Sequence, residues 1–214
     1  MNIIITGGSS GLGFAVGEFY RKQGEHVWEY SKRHGFDLSR QSHRDGIIRE
    51  VRDRKVAIDL LINNAGIIFL DEKEMVMIDM IAMVHLNLVA VWDLSIHLQS
   101  NLKRARGQII NIASVAGLKG DTECPLYAAT KAGVISLTKS FAKKYAPDVR
   151  VNCISPGFFD TNLVPGPAPK ELINGVPLAR EAQPEEIIPA IEYFIQSKYT
   201  TGANIVIDGG LTVA

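Results

Sequence analysis

Tyr127 and Lys131 are separated by Ala-Ala-Thr inside a helical pattern, so both side chains project from one face. A tyrosine phenol, with a pKa of about 10, is a poor base at neutral pH. A neighbouring ammonium favours the phenolate and lowers that value. Such a phenol can give a proton to a carbonyl being reduced, or take one from an alcohol being oxidised. Ser114 lies upstream at the end of an apolar run, Gln108–Ala113, where its hydroxyl can hydrogen-bond the same substrate oxygen and steady developing charge. Each feature alone has a plainer reading: a Tyr–Lys pair is often an exposed helix face, and a serine at a strand end is often a turn residue.

A second cluster opens the chain. After Ile3–Thr6 comes Thr6-Gly7-Gly8-Ser9-Ser10-Gly11-Leu12-Gly13, followed by a helical pattern. Glycines between a strand and a helix N-terminus let the backbone approach a pyrophosphate, which then meets free N–H groups and the positive end of the helix dipole. The spacing Gly-x3-Gly-x-Gly differs from the dinucleotide fingerprint Gly-x-Gly-x-x-Gly, but strand, glycines and helix occur in the required order. The second strand closes on Ser31-Lys32-Arg33, which can hold a 2′-phosphate through charge-assisted bonds, whereas an acidic residue there would accept from an adenosine ribose. Glu29 is the competing signal, but it lies inside the strand. The expectation is NADP(H), with NAD(H) as the alternative.

These residues need a scaffold that brings strand ends together. Candidate strands are Ile3–Thr6, His26–Ser31, Leu60–Asn63, Gln108–Ala113, Arg150–Ser155 and Asn204–Asp208. Between them lie amphipathic segments, Leu12–Gln23, Arg40–Arg54, Glu72–Leu102, Pro125–Tyr145 and Pro184–Gln196. Strands that are apolar throughout, such as Ile3-Ile4-Ile5, are expected where helices cover both faces. Alternation of the two types implies βαβ units and a doubly wound, Rossmann-like α/β fold with a parallel sheet of about seven strands. With 214 residues, one domain is expected. The proline-rich stretch Val164–Pro169 reads as a loop over a ligand site.

Lys+Arg and Asp+Glu both number 23, so the formal net charge is zero, which argues against a nucleic-acid or anionic-membrane partner. No apolar stretch reads as long enough to span a bilayer, and the N-terminus lacks a signal-peptide pattern. Cys124 and Cys153 have no metal-like spacing and read as buried thiols, so no metal is expected. Together these suggest a cytoplasmic protein.

Taken together, Thr6-Gly7-x3-Gly11-x-Gly13, Asn63-Asn64-Ala65-Gly66, Asn87, Ser114, Tyr127-x3-Lys131 and Pro156-Gly157 resemble the short-chain dehydrogenase/reductase family, from Thr6 to Gly210. The resemblance implies an oxidoreductase with a tetrad of Asn87, Ser114, Tyr127 and Lys131. Tyr127 would be the acid/base, Ser114 would orient the substrate oxygen, and Lys131 would bind the nicotinamide ribose and depress the tyrosine pKa. Asn87 would support a water-linked proton relay. Asp37-Leu38 matches the pair that reads adenine, and Asn63, Ala65 and Gly66 pass beside the adenosine ribose. In Pro156-Gly157-Phe158-Phe159-Asp160-Thr161 the threonine would contact the carboxamide, with Pro156, Gly157 and Phe159 lining the cofactor. Ser9, Ser10 and Leu12 complete the phosphate loop, although Ser10 stands where NADP-dependent relatives often carry a basic residue. Lys119, Leu126, Phe158, Phe159 and Leu163–Pro169 would face a small carbonyl or alcohol substrate, with a core-packing role expected for at least one of the phenylalanines. The helices Glu72–Leu102 and Pro125–Tyr145 would supply the contacts of a homodimer or homotetramer. The expected activity is NADPH-dependent reduction of a ketone or aldehyde; the rival readings are an NAD-dependent alcohol dehydrogenase using the same residues and a dinucleotide-sensing regulator without turnover, and the intact tetrad argues against the regulator.

Overall fold

The computed structural model describes residues 1–69, 75–164, 166 and 169–213. Strand β1 (Asn2–Thr6) is followed by helix α1 (Gly11–Lys22), β2 (His26–Tyr30), α2 (Gln41–Asp53) and β3 (Leu60–Asn63). Then come α3 (Met77–Val84), α4 (Ala90–His97), α5 (Gln99–Ala105), β4 (Gln108–Ile112), α6 (Ala116–Lys119) and α7 (Pro125–Tyr145). Strand β5 (Arg150–Pro156), α8 (Lys170–Asn174), α9 (Ile188–Gln196) and β6 (Asn204–Ile207) complete the chain. The strands form one sheet in the order β2-β1-β3-β4-β5-β6, with every pairing parallel.

The period-2 geometry of a strand explains why continuous apolar runs are needed. Ile4, Leu61, Ile109 and Val151 point to one face, where Ile47 of α2, Leu94 of α4 and Phe141 of α7 cover them. Ile3, Ile5, Leu60, Ile62 and Ile154 point to the other, against Val16 and Tyr20 of α1 and Ile191 and Phe194 of α9. Because β1 lies between β2 and β3, the chain order reverses beside it, and a crevice opens at the carboxyl ends of these strands.

Six strands are seen among the described residues, not about seven. Only Ser31 to Phe36 separate β2 from Asp37, too few for a crossover and a further strand. Those residues instead make one 3-10 turn, Lys32–His34, closed by Gly35 at a φ of 87°.

The long apolar segment also needs correction. Residues 77–97 form a helix of 21 residues with mean hydropathy 1.5, long and apolar enough to cross a bilayer by length and composition. It nevertheless carries fully buried Asn87 and an Asp93–Arg44 ion pair, and lies against α7 and α2 as part of the core. The start of that segment, at Glu72, falls outside the described residues.

Candidate active site

At the dinucleotide end, β1 and β3 are clipped together by side chains. Thr6 Oγ1 accepts the backbone N–H groups of Asn64 and Ala65, both at 3.0 Å. Asn64 Nδ2 donates to the carbonyls of Thr6 (3.0 Å) and Gly7 (3.2 Å). Thr6 is buried, so its hydroxyl is committed within the protein. Asn64, part of the motif but passed over as a site residue, is the side chain that fixes the turn. Gly7 takes a φ of 69°, and a Cβ there would meet Ala65 Cα at 2.9 Å. A Cβ on Gly13 would come within 2.5 Å of both Gly7 O and Asn64 Nδ2. Strand end and helix start can approach this closely only without side chains.

Ser10 is the N-cap of α1, with extended backbone and no side-chain cap bond, which leaves the first-turn N–H groups for an anion. Ser9 is half-buried beside it, and Leu12 packs on the apolar layer beneath. Thr161 stands over the loop: its Cβ and Cγ2 lie 3.2 Å from where a Cβ on Gly11 would sit. Two distant segments thus meet at one crevice. Ser31 is buried with its hydroxyl 3.1 Å from His34 Nδ1, while Lys32 and Arg33 are exposed and make no ion pair among the described residues. Glu29 lies inside the strand and is engaged by α1. Its carboxylate lies 2.8 Å from Arg21 Nη2, packed where a Cβ on Gly8 or Gly17 would have to go. Asp37 accepts from Ser39 Oγ at 2.6 Å, which holds its carboxyl below the usual range, and the Leu38 side chain is buried in the core.

The chemical end is built by β4, α6 and α7. Ser114 follows β4 and Ala113, and its Oγ accepts the Ala116 N–H at 3.2 Å, starting the short α6. Helix α6 sits so close to α7 that a Cβ on Gly117 would lie 2.6 Å from the Lys131 carbonyl carbon. That contact brings the Ser114 hydroxyl beside the phenol of Tyr127, where it favours the ionised form. Lys131 Nζ lies 5.7 Å from the centroid of the Tyr127 ring and donates to Ile112 O at 2.9 Å.

Asn87 sits in a π-helical turn, His85–Val89, between α3 and α4. A single widened turn of this kind is a recurrent feature of functional sites. Its Oδ1 accepts the Ile67 N–H at 2.9 Å, and its Nδ2 donates to Ile67 O at 2.8 Å and to Thr130 Oγ1 at 3.3 Å. A Cβ on Gly66 would lie 3.4 Å from Asn87 Oδ1 and 3.5 Å from Lys131 Nζ, so the three converge on one point. Nothing in the sequence pattern announced the π turn, since its residues continue the helical periodicity on either side.

Burial governs the electrostatics. The Tyr127 phenol, almost fully enclosed, is pushed up to about 12, with the Ser114 hydrogen bond pulling the other way. Burial also pushes the Lys131 ammonium down to about 8. The expected lowering of the tyrosine requires the charge of an oxidised nicotinamide beside the lysine; in the protein alone, desolvation keeps the phenol protonated. A phenol that keeps its proton at neutral pH can act as a general acid.

The other expected residues divide between core, crevice and surface. Asn63 turns its side chain into a buried network, with Nδ2 donating to Asn111 Oδ1 at 2.8 Å, and Asn111 in turn reaching Thr138 at 2.9 Å. Phe159 is 9% exposed and belongs to the core, whereas Phe158 is half-buried. Pro156 is buried at the end of β5, and Gly157 packs so tightly that a Cβ would meet Asp208 Cα at 2.8 Å. Ala65 lines the edge of the sheet beside Gly7. Leu126 is half-buried, and Lys119 and Leu163 are exposed. Of the expected loop over the site, Pro165, Pro167 and Ala168 lie outside the described residues. Both cysteines are buried and make no disulfide.

Known proteins match this arrangement. A family model described as enoyl-(acyl carrier protein) reductase matches residues 9–212. The 3-oxoacyl-[acyl-carrier-protein] reductase FabG of Thermotoga maritima is 33% identical, over 98% of this chain and 97% of that protein. Carbonyl reductase family member 4 of Xenopus tropicalis is 32% identical, over 82% of this chain and 75% of that one. Among solved structures, a 4-hydroxyisoleucine dehydrogenase complexed with NADH superposes with a TM-score of 0.91 at 30% identity, covering all of both chains.

Proposed function

Because the chain belongs to the short-chain dehydrogenase/reductase family, we propose that it uses NADPH to reduce a ketone or aldehyde to the alcohol, with Tyr127 as the acid. It is an NAD(P)(H)-dependent oxidoreductase acting on carbonyl and CH–OH groups. The observation that carries the finer reading is the convergence of Ser114, Tyr127, Lys131 and Gly66 beside an open helix N-terminus.

The crevice fits the cofactor: Gly7 and Gly13 leave no Cβ in the way, the α1 N-terminus is uncapped by Ser10, and Thr161 reaches across. The adenosine half would lie along the Ser31–Leu38 loop and the pyrophosphate on α1. When bound, the nicotinamide supplies the hydride that the carbonyl carbon gains. The carbonyl oxygen takes the Tyr127 proton, and the Ser114 hydroxyl orients that oxygen. Lys131 holds the ribose and keeps a positive charge beside the phenolate left behind. Asn87 fixes the 66–67 backbone against the lysine, and a water there would return the proton. The half-buried Phe158 and Leu126 favour an apolar substrate. The carbonyl reductase and 3-oxoacyl reductase relatives, whose names describe carbonyl chemistry, support the same direction. Cytoplasmic work fits this chemistry.

NADPH preference rests on Lys32 and Arg33, unpaired and exposed at the tip of β2, with Glu29 already held by Arg21. The NADH bound to the structurally similar dehydrogenase supports the second reading, NADH as cofactor. Lys32→Ala with Arg33→Ala is expected to raise the NADPH Kd by about 10–100-fold, as two charge-assisted bonds are lost, and to leave NADH binding unchanged. An unchanged NADPH Kd would shift the proposal to NADH.

Met77, Ile78 and Ile81 of α3 and Trp92 of α4 are 69%, 72%, 50% and 43% exposed. An apolar band of this kind is what an oligomer interface covers. A homodimer or homotetramer is proposed, and light scattering that returns only the 23.5 kDa monomer would remove it.

A further inference from the structure

The loop that would receive the adenosine half follows β2, an edge strand, so no sheet ladder holds its outer side. It is fixed from α2 instead. His43 Nδ1 accepts the Asp37 N–H at 2.9 Å, and Arg44 Nη1 donates to Leu38 O at 2.8 Å. Arg44 Nε reaches Asp93 Oδ2 of α4 at 2.6 Å, and Asp93 Oδ1 lies 2.8 Å from His97 Nδ1. Arg44 and Asp93 are both buried, at 3% and 6% exposure. Burying an ion pair costs desolvation of both groups, and an apolar pair of similar volume commonly stabilises a core as well or better. Stability alone is therefore a weak reason for this pair. Its distinguishing feature is the third partner: the planar guanidinium sends one N–H to a carboxylate and another to a main-chain carbonyl in a fixed geometry, which the point charge of a lysine on its flexible stem does not reproduce.

We propose that Arg44, held by Asp93, is a positioning residue for the dinucleotide, setting the Asp37–Leu38 main chain that receives adenine. This rests on the cofactor placement proposed above. Among the described residues no strand lies beyond β2, and the Arg44–Asp93 pair ties the adenine loop to α2 and to α4, the helix next to the π turn of Asn87. Neither residue touches substrate or the reacting atoms.

The test separates the two halves of the cofactor. Kd values are measured for NADPH, for adenosine 2′,5′-bisphosphate and for reduced nicotinamide mononucleotide, which lacks the adenosine half. The proteins are the parent, Arg44→Lys, and the double variant Arg44→Met with Asp93→Leu, which removes both charges and so avoids a stranded carboxylate. The expected result is a loss of about 10-fold or more in affinity for NADPH and for the bisphosphate, in equal ratio, since one charge-assisted bond to Leu38 is removed. Affinity for the mononucleotide and the rate at its saturation stay at parent values. Unchanged NADPH affinity in a folded variant overturns the proposal, and so does equal weakening of the mononucleotide, which marks a general structural role. A parent protein that binds none of the three overturns the cofactor reading itself, a different outcome from either.

Discussion

Tyr127→Phe is expected to lower kcat for carbonyl reduction by about 10²–10⁴-fold while leaving NADPH Kd unchanged. Only the phenolic oxygen is removed. The ring remains packed, and Lys131 and the helix around it keep their places. Among the described residues the phenol is the proton donor flanked by both Ser114 and Lys131, so a substrate oxygen between them would draw its proton from it. The paired measurement of rate and affinity also decides against a sensor that binds the dinucleotide without turnover. A sensor would lose nothing at this position. If the variant keeps more than half the parent rate, Tyr127 is not the acid.

Lys131→Met is expected to act in two opposite directions. Removing the ammonium proposed to hold the ribose and face the phenolate is expected to cost about 10²–10³-fold in kcat, the scale of deleting one preorganised donor. The same change is expected to raise stability at pH 7 by about 1–3 kcal/mol. The sign follows from burial, which pushes Lys131 down to about 8 from 10.5. Between those two values the unfolded chain holds a proton that the folded chain has lost, so parent stability rises with pH across that window. Below about pH 8 the full penalty of the buried charge is present. In the variant it is absent, and the rise vanishes. Denaturant unfolding of both proteins from pH 7 to 10.5 checks this. A variant that is less stable at pH 7 would contradict it. The parent's dinucleotide affinity should also weaken as pH rises through about 8, a step the variant lacks.

Much of this was legible in the sequence because periodicity and local order carry it. Leu60–Asn63 and Pro125–Tyr145 are found with the expected bounds, and the other five strands differ by a residue or so at an end. Apolar runs with no polar alternation leave few alternatives when the connecting segments are helical. The placing of three proposed catalytic residues was readable too, since Tyr127 and Lys131 share a helix and Ser114 lies just beyond a strand end. What escaped depends on tertiary context. The π turn at Asn87 adds a residue within a helix whose apolar pattern continues. The missing edge strand required counting residues between β2 and Asp37. Asn63 and Phe159 lie in motif stretches, yet their side chains turn inward, because strand alternation and the third layer decide orientation. Arg44 looked like one charge among many in an amphipathic helix; only the fold shows that it is buried against Asp93. The raised tyrosine pKa was not legible for the same reason: sequence shows the lysine, and burial is a property of the folded chain.

Every role proposed for these residues depends on a nicotinamide dinucleotide binding in the crevice between Gly7–Gly13 and Thr161. Titration of the protein with NADPH and NADH, followed by fluorescence transfer from Trp28 and Trp92, tests it most directly. Saturable transfer is predicted, tighter for NADPH and weakened by Lys32→Ala with Arg33→Ala. Absence of saturable transfer with either dinucleotide would contradict that binding.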